Sequence, residues 1–122
     1  MTEVKTKPFD LEERTLKYAK DVFRFIHTCP KTLINSELAK QGIRSAGSVG
    51  ANYIEAQEAL SRKDFAMRVK ICRKEIKESI YWLRLLEIKD KAIEEKRDRF
   101  LLEASELLKI FSSIVGKVNN SH

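Results

Sequence analysis

The feature that most constrains this chain is the scarcity of residues that interrupt a helix. Four glycines and two prolines are spread over 122 residues, too few for the many turns of a β-sandwich or β-barrel. Apolar residues return at spacings of three, four and seven, which is the pattern of an amphipathic helix. The sequence therefore predicts an all-α protein, and its length predicts a single domain.

Four segments of this kind predict four helices. Asp10, followed by acidic residues, is the expected N-cap of the first helix, which ends before Pro30. Ser36 is the expected N-cap of the second helix and Ser61 that of the third, and a charged connection at 88–91 leads to the fourth. The first, second and fourth helices are expected at 10–28, 36–59 and 92–118.

Short connections between long amphipathic helices favour an up-down-up-down antiparallel four-helix bundle. The bundle is expected to comprise residues 10–118. The polar ends, 1–9 and 119–122, are expected to fray.

The second helix contains an unusual run of small residues at 45–51. Each glycine inside a helix costs about 1 kcal/mol relative to alanine, so some gain must offset Gly47 and Gly50. We expect close packing of a neighbouring helix, because a phosphate-binding loop would need a preceding strand and a following Lys-Ser/Thr pair. The expected core-facing stripe of this helix is Ala39, Ile43, Ala46, Gly50, Tyr53, Gln57 and Leu60.

Residues that carry catalysis or bind metals are scarce. The two histidines, His27 and His122, do not follow a glutamate at the Glu-x-x-His spacing of di-metal bundles. Cys29 and Cys72 match no metal or redox spacing and are expected to be reduced, buried thiols. His27 lies near Cys29, but no third group accompanies them as an orienter. We expect no enzymatic activity, no cofactor and no metal.

The sequence also predicts where the protein resides. No apolar run approaches the roughly 18 residues of a membrane span, and residues 1–8 lack the apolar stretch of a secretory signal. We therefore expect a cytoplasmic protein with no membrane partner.

Asn52 and Glu55 lie three residues apart beside the apolar stripe of the second helix. A catalytic carboxylate is conceivable there. The favoured interpretation is structural: the two side chains would form hydrogen bonds across a helix interface and fix its register.

Positive charge is concentrated in the third helix. Residues 62–89 contain nine Lys+Arg and four Asp+Glu, a local excess of +5 within a chain of net charge +6. Cations at helical spacing can contact successive phosphates, and a tyrosine among them offers a ring for base stacking. The alternative is a solvated face with no ligand. The candidate nucleic-acid-binding residues are Lys63, Lys70, Arg73, Lys74, Lys77, Tyr81 and Arg84.

A further stripe on the third helix is apolar and lies between its core face and its basic face. Such a surface usually marks an interface, so we expect a homo-oligomer, in which the basic face would be repeated and bind with higher avidity. The alternative is that the first or fourth helix covers it. The expected interface residues are Met67, Ile71, Glu78, Trp82 and Leu85.

Part of the chain also resembles a known family. The resemblance is carried by the stretch 38–56, by an Asp-Phe pair and by the run 71–83, with the characteristic residues Gln41, Arg44, Ser45, Ala46, Ser48, Val49, Asn52, Glu55, Asp64 and Phe65. These features resemble the 23S rRNA intervening-sequence proteins, a bacterial family of four-helix bundles. Ala56 departs from the pattern, which commonly has glycine there, and suggests that the second helix continues further.

That family in turn is similar to the accessory protein of diversity-generating retroelements, a basic pentamer of four-helix bundles that binds nucleic acid and a reverse transcriptase. The resemblance implies a homopentamer and a nucleic-acid ligand. Our first interpretation is therefore a non-enzymatic, oligomeric protein that binds RNA or DNA through the basic face of the third helix. The alternative is a protein-protein assembly or adaptor module with no nucleic-acid ligand.

Overall fold

The four helices begin where side chains accept hydrogen bonds from the first free amides. The computed structural model describes residues 10–120 and contains α1 (Leu11–Thr28), α2 (Leu33–Gln57), α3 (Arg62–Leu85) and α4 (Lys91–Asn120). Asp10 caps α1 by accepting from Glu13 N, and Ser61 caps α3 by accepting from Asp64 N, as the sequence predicts. Asp90 accepts from Ala92 N and Ile93 N at the start of α4.

The expected start of α2 is wrong by three residues. Thr32, not Ser36, is the N-cap, because its hydroxyl accepts from Asn35 N at 3.0 Å. At the other end, α2 ends at Gln57, one residue beyond Ala56 and two residues before the expected end at 59. Helix α4 continues to Asn120, two residues past its expected end at 118. The expected fraying of 1–9 and 121–122 concerns residues outside the described range.

The helices pack in the cyclic order α1, α2, α3, α4, so that each contacts its two neighbours. The contact between α2 and α3 is the most extensive, and that between α1 and α4 is the least. This arrangement confirms the predicted all-α, up-down-up-down antiparallel four-helix bundle.

Apolar residues at helical spacing predict one core stripe on α1 and one on α3. The predicted residues are Leu11, Tyr18, Ala19, Val22 and Ile26 on α1, and Phe65, Val69, Cys72, Ile76, Ile80 and Leu83 on α3. On α1 the whole expected stripe is buried: Leu11, Tyr18, Ala19, Val22 and Ile26. On α3, Val69, Cys72, Ile76 and Leu83 are buried, with Phe65 and Ile80 packed beside them. Helix α4 adds Leu107 and Phe111.

The expected core stripe of α2 is right at Ala39, Ala46, Gly50 and Tyr53, which are buried or pack inside the bundle, and wrong at Ile43, Gln57 and Leu60. Ile43 is 42% exposed and Leu60 is 99% exposed, whereas Ala46 is buried. Small and polar residues form the true buried face, which comprises Asn35, Gly42, Ser45, Ala46, Val49 and Ala56. Small side chains contribute little to hydrophobic periodicity, so the larger exposed residues Ile43 and Leu60 dominated the pattern.

The run of small residues allows the close helix packing expected from the sequence. A Cβ added to Gly50 would lie 2.9 Å from Thr15 Oγ1 on α1. A Cβ added to Gly42 would lie 3.2 Å from Ile26 Cδ1. The glycines therefore bring α2 against α1, and the packing that results offsets their intrinsic cost in a helix.

Candidate nucleic-acid interface

Four cations on the outer surface of α3 converge on one concavity. Lys70, Arg73, Lys74 and Lys77, which we call the α3 cationic face, line a surface depression of about 390 Å³ together with Glu78 and Tyr81. The lysines are exposed because they lie opposite the buried stripe of α3. Lys63 and Arg84 are also exposed but lie outside the depression.

Most of these cations have no nearby acid. Within the described part of the chain, no carboxylate oxygen lies within 4.0 Å of a charged nitrogen of Lys70, Arg73 or Lys77. Lys74 Nζ lies 3.7 Å from Glu75 Oε2, so its charge is partly compensated. The depression therefore presents a net positive charge to solvent.

An arginine of α2 engages the two acids of α3 that lie beside the cationic face. Arg44 Nη2 donates to Glu78 Oε1 at 3.2 Å, and Arg44 Nη1 lies 3.6 Å from Glu75 Oε1. The Glu75 side chain is only 8% exposed, and its Oε1 accepts no hydrogen bond. Arg44 thus attracts both carboxylates towards the seam between α2 and α3. The sequence shows the two acids three residues apart, but the approach of Arg44 depends on the packing of α2 on α3.

Tyr81 provides an aromatic surface beside the cations. Its side chain is 57% exposed, and its ring packs edge to face on Trp82 with centroids 5.2 Å apart. This contact restrains the ring while leaving much of it accessible. An exposed, restrained ring next to cations is a common platform for an unpaired base.

The apolar stripe of α3 is only partly exposed. Met67 and Leu85 are 53% and 43% exposed, whereas Ile71 and Trp82 are half-buried. Trp82 lies against α2, since a Cβ added to Gly42 would come within 3.9 Å of Trp82 Cβ. Helix α2 therefore covers part of Trp82. Glu78, expected at the interface, is paired with Arg44.

A second apolar surface, which the sequence analysis did not single out, lies between α1 and α2. This α1/α2 groove has a volume of about 330 Å³ and a floor of small residues, among them Ala19, Gly47 and Gly50. Leu16 and Ile54 stand at its sides, 45% and 48% exposed. Leu16, an apolar residue beside the core stripe of α1, is visible in the sequence. The groove itself is not, because it forms only where α1 and α2 come close together.

The polar residues that join helices are not the expected ones. Asn52 Nδ2 donates to Ser48 O of its own helix at 2.9 Å, and Glu55 is exposed. Asn35 instead links the start of α2 to the end of α3: its amide donates to Glu87 O and accepts from Glu87 N. The sequence pattern does not single out Asn35, because this residue precedes the start expected for α2.

The chemistry of the described residues offers little for catalysis. Both cysteines are buried and free, and burial raises the pKa of Cys29 and raises that of Cys72 to about 12. Neither thiol is therefore ionised near neutral pH. Within residues 10–119 no three His, Cys, Asp or Glu side chains form a group that could hold a metal ion. None of the described helices is long and apolar enough to span a bilayer.

Comparison with known proteins places the chain in a family. The four helices define a small all-α four-helix bundle in a chain of net charge +6. The profile of the 23S rRNA-intervening sequence protein family matches residues 8–113, so the chain belongs to this family. This confirms the family resemblance seen in the sequence.

A solved structure shows the same fold. It is the crystal structure of a protein of unknown function from the S23 ribosomal protein family of Bacteroides thetaiotaomicron VPI-5482. The two sequences are 31% identical, the match covers 85% of this chain and 96% of that one, and the TM-score is 0.72. Among curated proteins there is no match.

Proposed function

We propose that this protein binds nucleic acid, RNA or DNA, through the α3 cationic face and performs no catalysis. Support comes from the family to which the chain belongs, whose name refers to 23S rRNA. It also comes from the charge of the third helix and from the exposed Tyr81 beside it. The ligand would be met in the cytoplasm.

One observation carries the proposal: among the described residues, three of the four cations of the α3 cationic face have no carboxylate oxygen within 4.0 Å, while Arg44 engages Glu75 and Glu78. Solvated lysines on ordinary helix surfaces are often paired with acids one turn away, as Lys40 is with Glu37. A group of cations without such partners releases more counterions when it contacts phosphates. The arrangement therefore favours a polyanionic ligand over a merely solvated face.

We expect the affinity to depend strongly on the charge of the α3 cationic face and only weakly on the base sequence of the ligand. Lysine ammonium groups act as point charges towards phosphates and do not read base edges. Tyr81 can stack on any base. With four cations on a single strand, log K should fall with log salt concentration with a slope of about −3.

Charge reversal tests the proposal. The variant Lys70→Glu, Lys74→Glu, Lys77→Glu should lower affinity for a single-stranded oligonucleotide by about 100-fold or more at low salt. The matched control is Lys17→Glu, Lys40→Glu, Lys109→Glu, which changes the net charge equally at three lysines that already contact acids. Equal losses in both variants would show that overall charge, not the α3 cationic face, causes binding.

Self-association is a second candidate property, favoured by the two separate apolar surfaces. Met67 and Leu85 project from α3, and the α1/α2 groove has a floor small enough to accept side chains of that length. Two different complementary surfaces on one chain would join copies head to tail and close a ring, and the family resemblance implies a homopentamer. If nucleic acid does not bind at all, assembly itself becomes the function, as in an adaptor module.

Light scattering tests this assembly. Met67→Glu with Leu85→Glu, or Ile54→Glu alone in the groove, should each shift the protein to monomers. Leu102→Glu is the control, because Leu102 is 69% exposed on α4 and belongs to neither surface. A wild-type protein that is monomeric at all concentrations would exclude assembly through these surfaces.

A further inference from the structure

We propose that a cleft between α1 and α4 is a second binding site for nucleic-acid phosphates, so that one chain bridges two nucleic-acid segments. The cleft is formed by Arg24 on α1 and by Lys96 and Arg99 on α4. Bridging rests on the proposed function of α3, whereas phosphate binding in the cleft does not.

The α1/α4 cleft is a depression of about 320 Å³ with cationic sides and an aromatic floor. Phe25 is 1% exposed and packs edge to face on Phe100, with ring centroids 5.2 Å apart. Apolar groups beneath exposed charges exclude water and lower the local dielectric constant. An anion in this cleft would therefore be attracted more strongly than on an open surface.

The cations of the cleft are poorly compensated. Among residues 10–119, no carboxylate oxygen lies within 4.0 Å of a charged nitrogen of Lys96 or Arg99. Arg24 Nη1 lies 4.0 Å from Asp21 Oδ1, but Asp21 is also bound by Lys17 at 2.6 Å. One shared acid thus faces the three cations of the cleft.

The same seam shows what a compensated position looks like. Nearer the start of α1, Arg14 forms two hydrogen bonds with Glu103 of α4, at 2.8 and 2.9 Å. That pair satisfies both charges and closes the seam. No equivalent acid faces Arg24 from α4 towards the end of α1. The seam between α1 and α4 is therefore closed by an ion pair at Arg14 and is open and positively charged at Arg24.

Acids on the surface of α4 separate this cleft from the α3 cationic face. Helix α4 packs between α1 and α3, and Glu94, Glu95 and Asp98 are exposed on the same stretch that carries Lys96 and Arg99. Arg97, whose side chain is 16% exposed, lies near both Glu94 and Asp98, so the three acids outnumber the one cation that pairs with them. A phosphate backbone crossing that surface would be repelled. One strand is thus disfavoured from reaching both sites by crossing α4, and the two sites are suited to separate segments.

The groups in the cleft suit phosphate rather than bases. A guanidinium donates two parallel hydrogen bonds to a phosphate, and Lys96 adds a point charge. The Thr28 hydroxyl, the polar group at the edge, donates to Phe25 O at 2.7 Å. The cleft therefore recognises the phosphodiester backbone with little sequence preference.

Stoichiometry of binding tests the second site. Three variants are compared with the wild type: Arg24→Gln, Lys96→Gln, Arg99→Gln in the cleft, Lys70→Gln, Lys74→Gln, Lys77→Gln on α3, and Lys40→Gln, Lys109→Gln, Lys117→Gln as control, at three exposed lysines outside both sites. Each loses three positive charges. Each is titrated at low salt with a single-stranded oligonucleotide of about eight nucleotides, the size that one such site covers.

The wild type and the control should bind two oligonucleotides per chain, and the cleft variant and the α3 variant should bind one each. A further variant that combines the cleft and α3 substitutions should bind none. Two per chain in the cleft variant, or none in the α3 variant, would overturn the cleft site and leave the proposed function standing. One per chain in the α3 variant with none in the cleft variant would instead refute the α3 site. If the cleft variant fails to fold, Lys96→Gln with Arg99→Gln, at two exposed positions of α4, replaces it.

A competition experiment separates a nucleic-acid backbone from a free phosphate ester. A mononucleotide is titrated into the α3 variant with and without the oligonucleotide. We expect the oligonucleotide to displace the mononucleotide from the cleft. A cleft that binds the mononucleotide but not the oligonucleotide would contradict bridging.

Discussion

The α2/α3 half of the bundle and the α1/α4 half are both rich in charge but use it differently. Between α2 and α3, a single arginine, Arg44, draws two carboxylates of α3 into the seam, and one of them, Glu75, is buried. In the other half four acids pair with cations of their own helix, namely Asp21, Glu94, Asp98 and Glu106. The placement of the acids, more than the number of lysines, therefore decides which surface is positive.

Arg44→Gln is the substitution that should most affect this contrast. It would leave Glu75 buried with only Lys74 nearby, and unfolding should become easier by about 2–3 kcal/mol. Glu75 and Glu78 would also be released to compensate Lys74 and Lys77, so nucleic-acid affinity should fall although none of the α3 cations has changed. Arg44→Lys, which keeps the charge, should restore most of the affinity. Chemical denaturation and a binding titration measure the two effects, and unchanged affinity in Arg44→Gln would break the proposed link.

Gly50→Ala compares the close packing of α2 with the open surface of α4. A methyl group at Gly50 would meet Thr15, which is buried and bonded to Leu11 O, so α1 must shift at a cost of about 2 kcal/mol. Gly116→Ala is the control, since a Cβ there would meet no atom within 4 Å. That substitution should stabilise α4 by about 0.5–1 kcal/mol. Thermal unfolding measures both, and equal effects would show that the two helices are packed alike.

Alkaline pH probes the diagonal contact between the two halves. Tyr18 OH on α1 is 2.7 Å from Ser79 Oγ on α3, and burial raises the pKa of Tyr18 to about 12. Between pH 10 and pH 12 the unfolded chain releases the phenol proton while the folded one keeps it, so stability should fall, by about 2 kcal/mol across this window. Tyr18→Phe should reduce this loss, leaving the part due to Cys72. The same pH dependence in Tyr18→Phe and wild type would rule out Tyr18 as its source.

Arg14→Gln is expected to have the smallest effect of the four. Arg14 and Glu103 are each about one-third exposed, so solvent screens both charges and Glu103 can rehydrate. The loss should be about 1 kcal/mol, less than that of Arg44→Gln. Denaturation of both variants under the same conditions gives the comparison. A larger loss of stability for Arg14→Gln than for Arg44→Gln would show that the α1/α4 seam depends on its ion pair more than the α2/α3 seam does.

Much of the fold follows from local sequence signals. Asp10 and Ser61 cap helices where the sequence places them, and the stripes of α1 and α3 are periodic because large apolar side chains form them. The buried face of α2 is only partly visible in this way, since apart from Val49 its buried residues are glycine, alanine, serine and asparagine. Residues of this size are buried because neighbouring backbones come close, and only the assembled bundle shows that.

The candidate site, too, is predictable from the sequence only in part. Exposure of the α3 lysines follows from the helical period, and it is predictable from sequence. The lack of acids around them depends on Arg44, which comes from another helix and is distant in sequence. The α1/α4 cleft and the α1/α2 groove likewise combine residues of two helices, so neither is visible in the pattern of one.

The salt dependence of nucleic-acid binding tests the central claim most directly. We expect log K of the wild type for a single-stranded oligonucleotide to fall with log salt concentration, and the slope to become shallower by about 2 units in Lys70→Gln, Lys74→Gln, Lys77→Gln. The control Lys17→Gln, Lys40→Gln, Lys109→Gln should keep the wild-type slope. Equal slopes in all three proteins, or no binding at low salt, would contradict a nucleic-acid site on the outer face of α3.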